Sequence, residues 1–90
     1  MFYALICQDK PDHLETRMNT RMDHLAYIES TGVVAQAGPL LNAEGVMAGS
    51  LIILDVEDRQ AAQAWADGDP YKDAGLFANV SIAQWNRVVG

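Results

Sequence analysis

Ninety residues with six basic and twelve acidic side chains give a net charge of −6 and a pI near 4.5. That balance argues against nucleic acid, which needs a basic patch, and against anionic membrane surfaces. The length fits one domain over residues 1–90, and half of those residues are apolar. A chain this short buries only about 60–65% of the surface its unfolded form exposes, so the apolar excess predicts a homodimer.

Phe2 to Cys7 is apolar throughout and reads as a first strand in the middle of a sheet. Cys7, the only cysteine, cannot form an intrachain disulfide and reads as a buried inert thiol. The start of the chain lacks the basic region and apolar stretch of a signal peptide. No apolar run approaches the roughly 20 residues that span a bilayer, so a cytoplasmic protein is expected. Gln8 to Asp12 forms a polar loop broken by Pro11, and Asp12 is placed to cap the helix that follows.

From His13 to Ser30, apolar residues fall at 14, 18, 22, 25 and 28, which predicts one buried helical stripe. Thr31-Gly32 ends that helix. Val33 to Ala37 is a second strand running into Gly38-Pro39-Leu40-Leu41, and Asn42-Ala43-Glu44-Gly45 has turn chemistry. Ala48 to Val56 is a third strand centred on Leu51-Ile52-Ile53-Leu54. Glu57-Asp58 opens a second helix through Trp65, and Gly68 closes it. Asp69-Pro70 has the form of an N-cap followed by proline at the first helical position, predicting a short turn over Tyr71 to Ala74. Phe77 to Val88 is the last strand. The order β-α-β-β-α-β is the ferredoxin-like arrangement, with four antiparallel strands carrying both helices on one face. A second copy packed on the open sheet face would cover the other.

At about 100° per residue, Arg17, Arg21, His24 and Ile28 share a narrow sector beside the predicted apolar stripe. Each has a plain structural role available. The arginines can lay their stems over the core edge, and His24 can be a satisfied structural residue. Asp69 can be a cap and nothing more, and Tyr71 can be a packing residue. Together they compose a pocket for an anion beside a histidine, where a nearby carboxylate would make proton transfer near neutral pH feasible. The two histidines have no partner at metal-ligand spacing, and no glycine-rich phosphate loop occurs, so neither a metal nor a cofactor is expected.

Several pieces occurring in order along the whole chain carry a resemblance. They are Gln8-Asp9-Lys10, Leu14-Glu15-x-Arg17, Arg21-x-x-His24-Leu25, Ala37-Gly38-Pro39-Leu40 and Asp69-Pro70-Tyr71-x-x-Ala74-Gly75. In this combination the sequence resembles the YciI-like, or YCII-related, family. The resemblance implies a ferredoxin-like fold that dimerises sheet to sheet as an α/β barrel. It also implies a cleft where a histidine and an aspartate meet, matched here by His24 and Asp69. One family member is a dehydrochlorinase acting on a chlorinated hydroxyhydroquinone. The expectation is therefore a cofactor-independent acid/base enzyme for an elimination or isomerisation. His24 and Asp69 would be catalytic, with Arg17, Arg21 and Tyr71 contacting a small anionic or phenolic ligand. The alternatives are a non-catalytic small-molecule-binding module and a purely structural interaction domain.

Overall fold

A computed structural model describes all residues from Met1 to Gly90. The strands β1 (Phe2–Asp9), β2 (Val34–Leu41), β3 (Met47–Asp55) and β4 (Phe77–Trp85) form one antiparallel sheet in the order β2-β3-β1-β4. Helices α1 (Leu14–Thr31), α2 (Arg59–Asp67) and the short α3 (Pro70–Asp73) complete the chain. This is the expected ferredoxin-like βαββαβ arrangement, with the predicted helical turn inserted before the last strand.

Strand alternation separates the two sheet faces. Tyr3, Leu5 and Cys7 of β1 lie beside Ile52 and Leu54 of β3, and all pack with Ala62, Trp65 and Ala66 of α2 in the core. Phe2, Ala4 and Ile6 point the other way, in register with Ile53 and Leu51 on one side and Trp85 and Ala83 on the other. A register shift between Gln8 and Asp9 skips one residue of β4. Val80 and Ile82 face inward, and this bulge brings Phe77 back to the same face.

Three boundaries differ from expectation. Asp12 does not cap α1, because it adopts a left-handed φ of 60°, a conformation that aspartate tolerates in turns. His13 takes the N-cap position without a capping side-chain bond, and its Nδ1–H donates to the Pro11 carbonyl at 2.7 Å. β2 continues through Pro39 because it is an edge strand, where a missing N–H removes no ladder bond. β4 stops at Trp85, leaving Val88 and Val89 exposed beyond the sheet.

The largest correction concerns α1. Leu14, Met18, Met22 and Leu25, expected inside, are exposed, while Arg17 and His24 are its buried residues. The wall that α1 meets is polar at those points, with Asp9 and Ser50 below Arg17 and Asp69 beside His24. Rotating the apolar stripe inward would strand those groups without partners.

Two locks hold the α2 end. The Tyr27 hydroxyl donates to the Trp65 carbonyl at 2.8 Å, and Trp65 Nε1–H donates to Thr31 Oγ1 at 2.9 Å. Gly68 passes so close beneath that a Cβ there would meet the Tyr27 oxygen at 2.5 Å and its Cζ at 3.2 Å. Gly68→Ala should therefore destabilise the protein by about 1–3 kcal/mol through overpacking, read by urea unfolding. Tyr27→Phe in the same background should recover part of the loss.

Cys7 is almost fully buried, and its thiol is pushed up to about 12 from 9.0, first by burial and then by the Asp69 carboxylate. Burial likewise raises Tyr27 and Tyr71. These raised groups keep their protons in the folded state after the unfolded chain has released them. Their contribution is complete below the unfolded-state values and is lost as pH rises through the folded ones. The unfolding free energy read by urea denaturation should accordingly fall between pH 8 and pH 10, by about 1 kcal/mol from the thiol. Cys7→Ala should flatten that decline, whereas an unchanged slope would remove the thiol as its source.

Candidate active site

The docking of α1 leaves a cavity between that helix and the β2–β3 half of the sheet. It measures about 130 Å³, close to the roughly 150 Å³ that suffices for a benzene ring. Leu25, Ile28, Pro39, Met47 and Ile52 supply its apolar wall. Its polar wall contains four of the five residues expected from the sequence, namely Arg17, Arg21, His24 and Tyr71. The fifth, Asp69, lies directly behind His24.

Asp69 sits between α2 and α3 because Gly68 ends one helix and Pro70 begins the next. Its Oδ1 accepts the Tyr71 backbone N–H at 3.0 Å, the expected capping bond. The same oxygen accepts a hydrogen bond from His24 Nδ1 at 2.8 Å. Capping and histidine contact are thus two uses of one atom. Asp69 is 1% exposed and His24 6%, so the pair is shielded from solvent and little screened. The carboxylate can only accept, which fixes the proton on Nδ1 and leaves Nε2 as the exchangeable nitrogen. Nε2 has no protein partner, and no buried side-chain nitrogen or oxygen is left unpaired. It therefore opens onto the cavity.

Tyr71 fills the space between His24 and Arg17, which stand two helical turns apart. Its ring stacks on the imidazole with centroids 4.0 Å apart and planes 18° apart, and Arg17 Cζ lies 4.8 Å from its centroid. Phe77, turned inward by the β4 bulge, meets Tyr71 edge-on at 5.9 Å. Burial raises the phenol pKa against the opposing pull of Arg17 and Arg21, so Tyr71 enters as a neutral hydroxyl. Arg21 is exposed at the cavity mouth and has no carboxylate within ion-pair distance.

Asp9 and Ser50 belong to this site although the sequence reading gave them no role. Asp9 receives Arg17 Nε–H at 2.7 Å and Nη2–H at 2.9 Å, and Nη2 also donates to Ser50 Oγ at 2.8 Å. Burial works against the Arg17 charge, but the Asp9 bond and charge outweigh it and the guanidinium pKa rises. The signal was available in strand alternation. Asp9 continues the inward series 3, 5 and 7, and Ser50 precedes the inward residues 52 and 54.

The model of the YCII-related domain matches residues 1–86. The chain is 39% identical to protein YciI of Escherichia coli over 98% of its own length and 99% of the relative's. It is 34% identical over the same shares to an uncharacterized protein of Haemophilus influenzae. Among solved structures, the 5-chloro-2-hydroxyhydroquinone dehydrochlorinase TftG of Burkholderia phenoliruptrix, in complex with 2,5-dihydroxybenzoquinone, superposes with a TM-score of 0.88. That match has 29% identity and covers 96% of this chain and 94% of that one. An antibiotic biosynthesis monooxygenase superposes at a TM-score of 0.62 with 8% identity over 99% of this chain and all of that one, a likeness of fold alone. Fold, full-length relatives and the domain match agree, and the chain belongs to the YCII-related family.

Proposed function

We propose that this protein is a small acid/base enzyme in which His24 Nε2 moves a proton on a single-ring, acidic or phenolic substrate, with no cofactor required. The observation that carries the reading is the buried 2.8 Å bond from His24 Nδ1 to Asp69, with Nε2 left open to the cavity. Asp69 would hold one tautomer and stabilise the imidazolium that forms when Nε2 accepts a proton. In an elimination, the electron pair of the broken C–H or O–H bond moves into the substrate, and the leaving group departs with its own pair. In an isomerisation, the imidazolium returns its proton to another atom of the same ring. Arg17, Arg21 and Tyr71 would bind the acidic oxygens. The dehydrochlorinase activity of the TftG relative supports this class of chemistry.

The open sheet face supports a homodimer. Ile6, Leu51 and Trp85 are each more than one-third exposed there, and this contiguous apolar patch is of the kind that marks an interface. Ile6→Lys should convert a species of twice 9.8 kDa into the protomer in light scattering after size exclusion. A wild-type protein already at protomer mass would remove the dimer from the proposal.

The catalytic reading is tested with 5-chloro-2-hydroxyhydroquinone by measuring chloride release. His24→Gln, which can still hydrogen-bond Asp69, should lose about 10²–10⁴-fold in rate with little change in melting temperature. Turnover equal to wild type in that variant would sink the assignment of His24. Saturable binding of 2,5-dihydroxybenzoquinone with no chloride release from the chlorinated compound would instead favour a binding module.

A further inference from the structure

We infer that Asp9 and Ser50 are positioning residues, clamping Arg17 so that one edge of its guanidinium becomes a fixed receptor for a ligand oxygen. The inference rests on the proposed function and assigns the orientation of the ligand within the same cavity.

A guanidinium has five N–H donors in a rigid planar fork. Here three of them are committed, the Nε–H and one Nη2–H to Asp9 and the other Nη2–H to Ser50. Both N–H groups of Nη1 lack a protein acceptor, although Arg17 is only 3% exposed. No buried side-chain nitrogen is left without a partner, so Nη1 reaches the cavity that Arg17 lines. A two-point clamp on Asp9 and a third bond to Ser50 leave the fork no rotational freedom. The Tyr71 ring against its face, with Cζ 4.8 Å from the ring centroid, blocks tilting as well.

Charge sharpens the assignment. Asp9 neutralises Arg17 at bidentate distance, and the carboxylate is itself 6% exposed at its side chain. A ligand oxygen arriving at Nη1 therefore meets two aimed hydrogen-bond donors rather than an uncompensated charge. Arg21, exposed and free of any carboxylate, keeps its full charge at the mouth. Arg17 then orients the ligand and Arg21 attracts it. Arg17 and His24 both pack on Tyr71 and both line the one cavity, so a ring held by one oxygen at Nη1 shares that cavity with the imidazole. A lysine at position 17 could not reproduce this, because an ammonium has no planar fork to clamp.

The test is a double-mutant cycle read by calorimetric titration with 2,5-dihydroxybenzoquinone, a planar ring bearing two acidic hydroxyls. It is accompanied by the NMR signal of Arg17 Nε–H. Asp9→Asn should weaken binding by tenfold or more in the wild-type background and by less than twofold in an Arg17→Lys background. Ser50→Ala should show the same dependence on Arg17 with a smaller effect, and it replaces Asp9→Asn if that variant does not fold. A slowly exchanging Nε–H signal should be present in the wild type and lost in Asp9→Asn. Equal weakening in both backgrounds, or a lowered melting temperature with unchanged affinity, would reduce Asp9 and Ser50 to structural groups. An Nε–H signal that survives Asp9→Asn would overturn the clamp alone. Absence of saturable binding to the wild type would overturn the functional reading on which the inference stands.

Discussion

Everything distinctive in this small fold depends on α1 being docked by polar pairs rather than by grease. Its inward face presents Arg17 to Asp9 and Ser50, His24 to Asp69, and Tyr27 to the Trp65 carbonyl. Burying ion pairs adds little net stability, since desolvation offsets attraction. What such pairs supply is register. A rotation of α1 by one residue, about 100°, would leave Asp9, Asp69 and Arg17 each buried without its partner, at several kcal/mol apiece. The helix is therefore held in one orientation, with Arg17 resting on Ser50 of β3 and open space between α1 and the β2–β3 half of the sheet around that contact. The cavity is the space that results.

The same economy appears at Asp69. One oxygen caps α3 and receives His24 Nδ1–H, so the capping geometry that places the carboxylate also aims the imidazole. The segment before it is fixed by the close approach of Gly68 to Tyr27 and by the Tyr27–Trp65–Thr31 bonds. Local helix chemistry thus reaches the site through short, rigid steps. This explains how an aspartate with a sufficient structural role can also serve a histidine forty-five positions away.

Much of the fold was legible in the sequence because its signals are local. The apolar runs of β1 and β3, Gly32 after α1, Asp58 before α2 and Asp69-Pro70 before α3 each act through neighbouring backbone, and each element lies where its signal placed it. The buried face of α1 departs from its hydrophobic periodicity, because that pattern assumes an apolar floor, whereas this floor offers Asp9 and Ser50. Leu14, Met18 and Met22 lost the inward position to residues with buried partners. The helical sector of Arg17, Arg21, His24 and Ile28 was visible from spacing, yet its depth was not. Asp12 failed as a cap for a related reason, since its backbone turned left-handed before the helix began. Asp9 lay in the β1 alternation but carried no signal of its partner eight residues on.

The arrangement of charge has a direct bearing on a proton transfer here. Around the cavity, Arg17 is balanced by Asp9, while Asp69 behind His24 and Arg21 at the mouth carry opposite charges. With neutral His24 these four groups sum to zero, despite the net −6 of the chain. On the proposed reading, a proton leaving a phenolic ligand for Nε2 creates two new charges at once. The imidazolium forms 2.8 Å from Asp69, and the ligand anion forms against the Nη1 edge of Arg17 and the open charge of Arg21. Each charge is born beside a preformed opposite partner, and such partners count because they need not reorganise. A phenolic ring that enters with its proton in place draws on both ends of this frame, because transfer of that proton to His24 within the cavity satisfies them together.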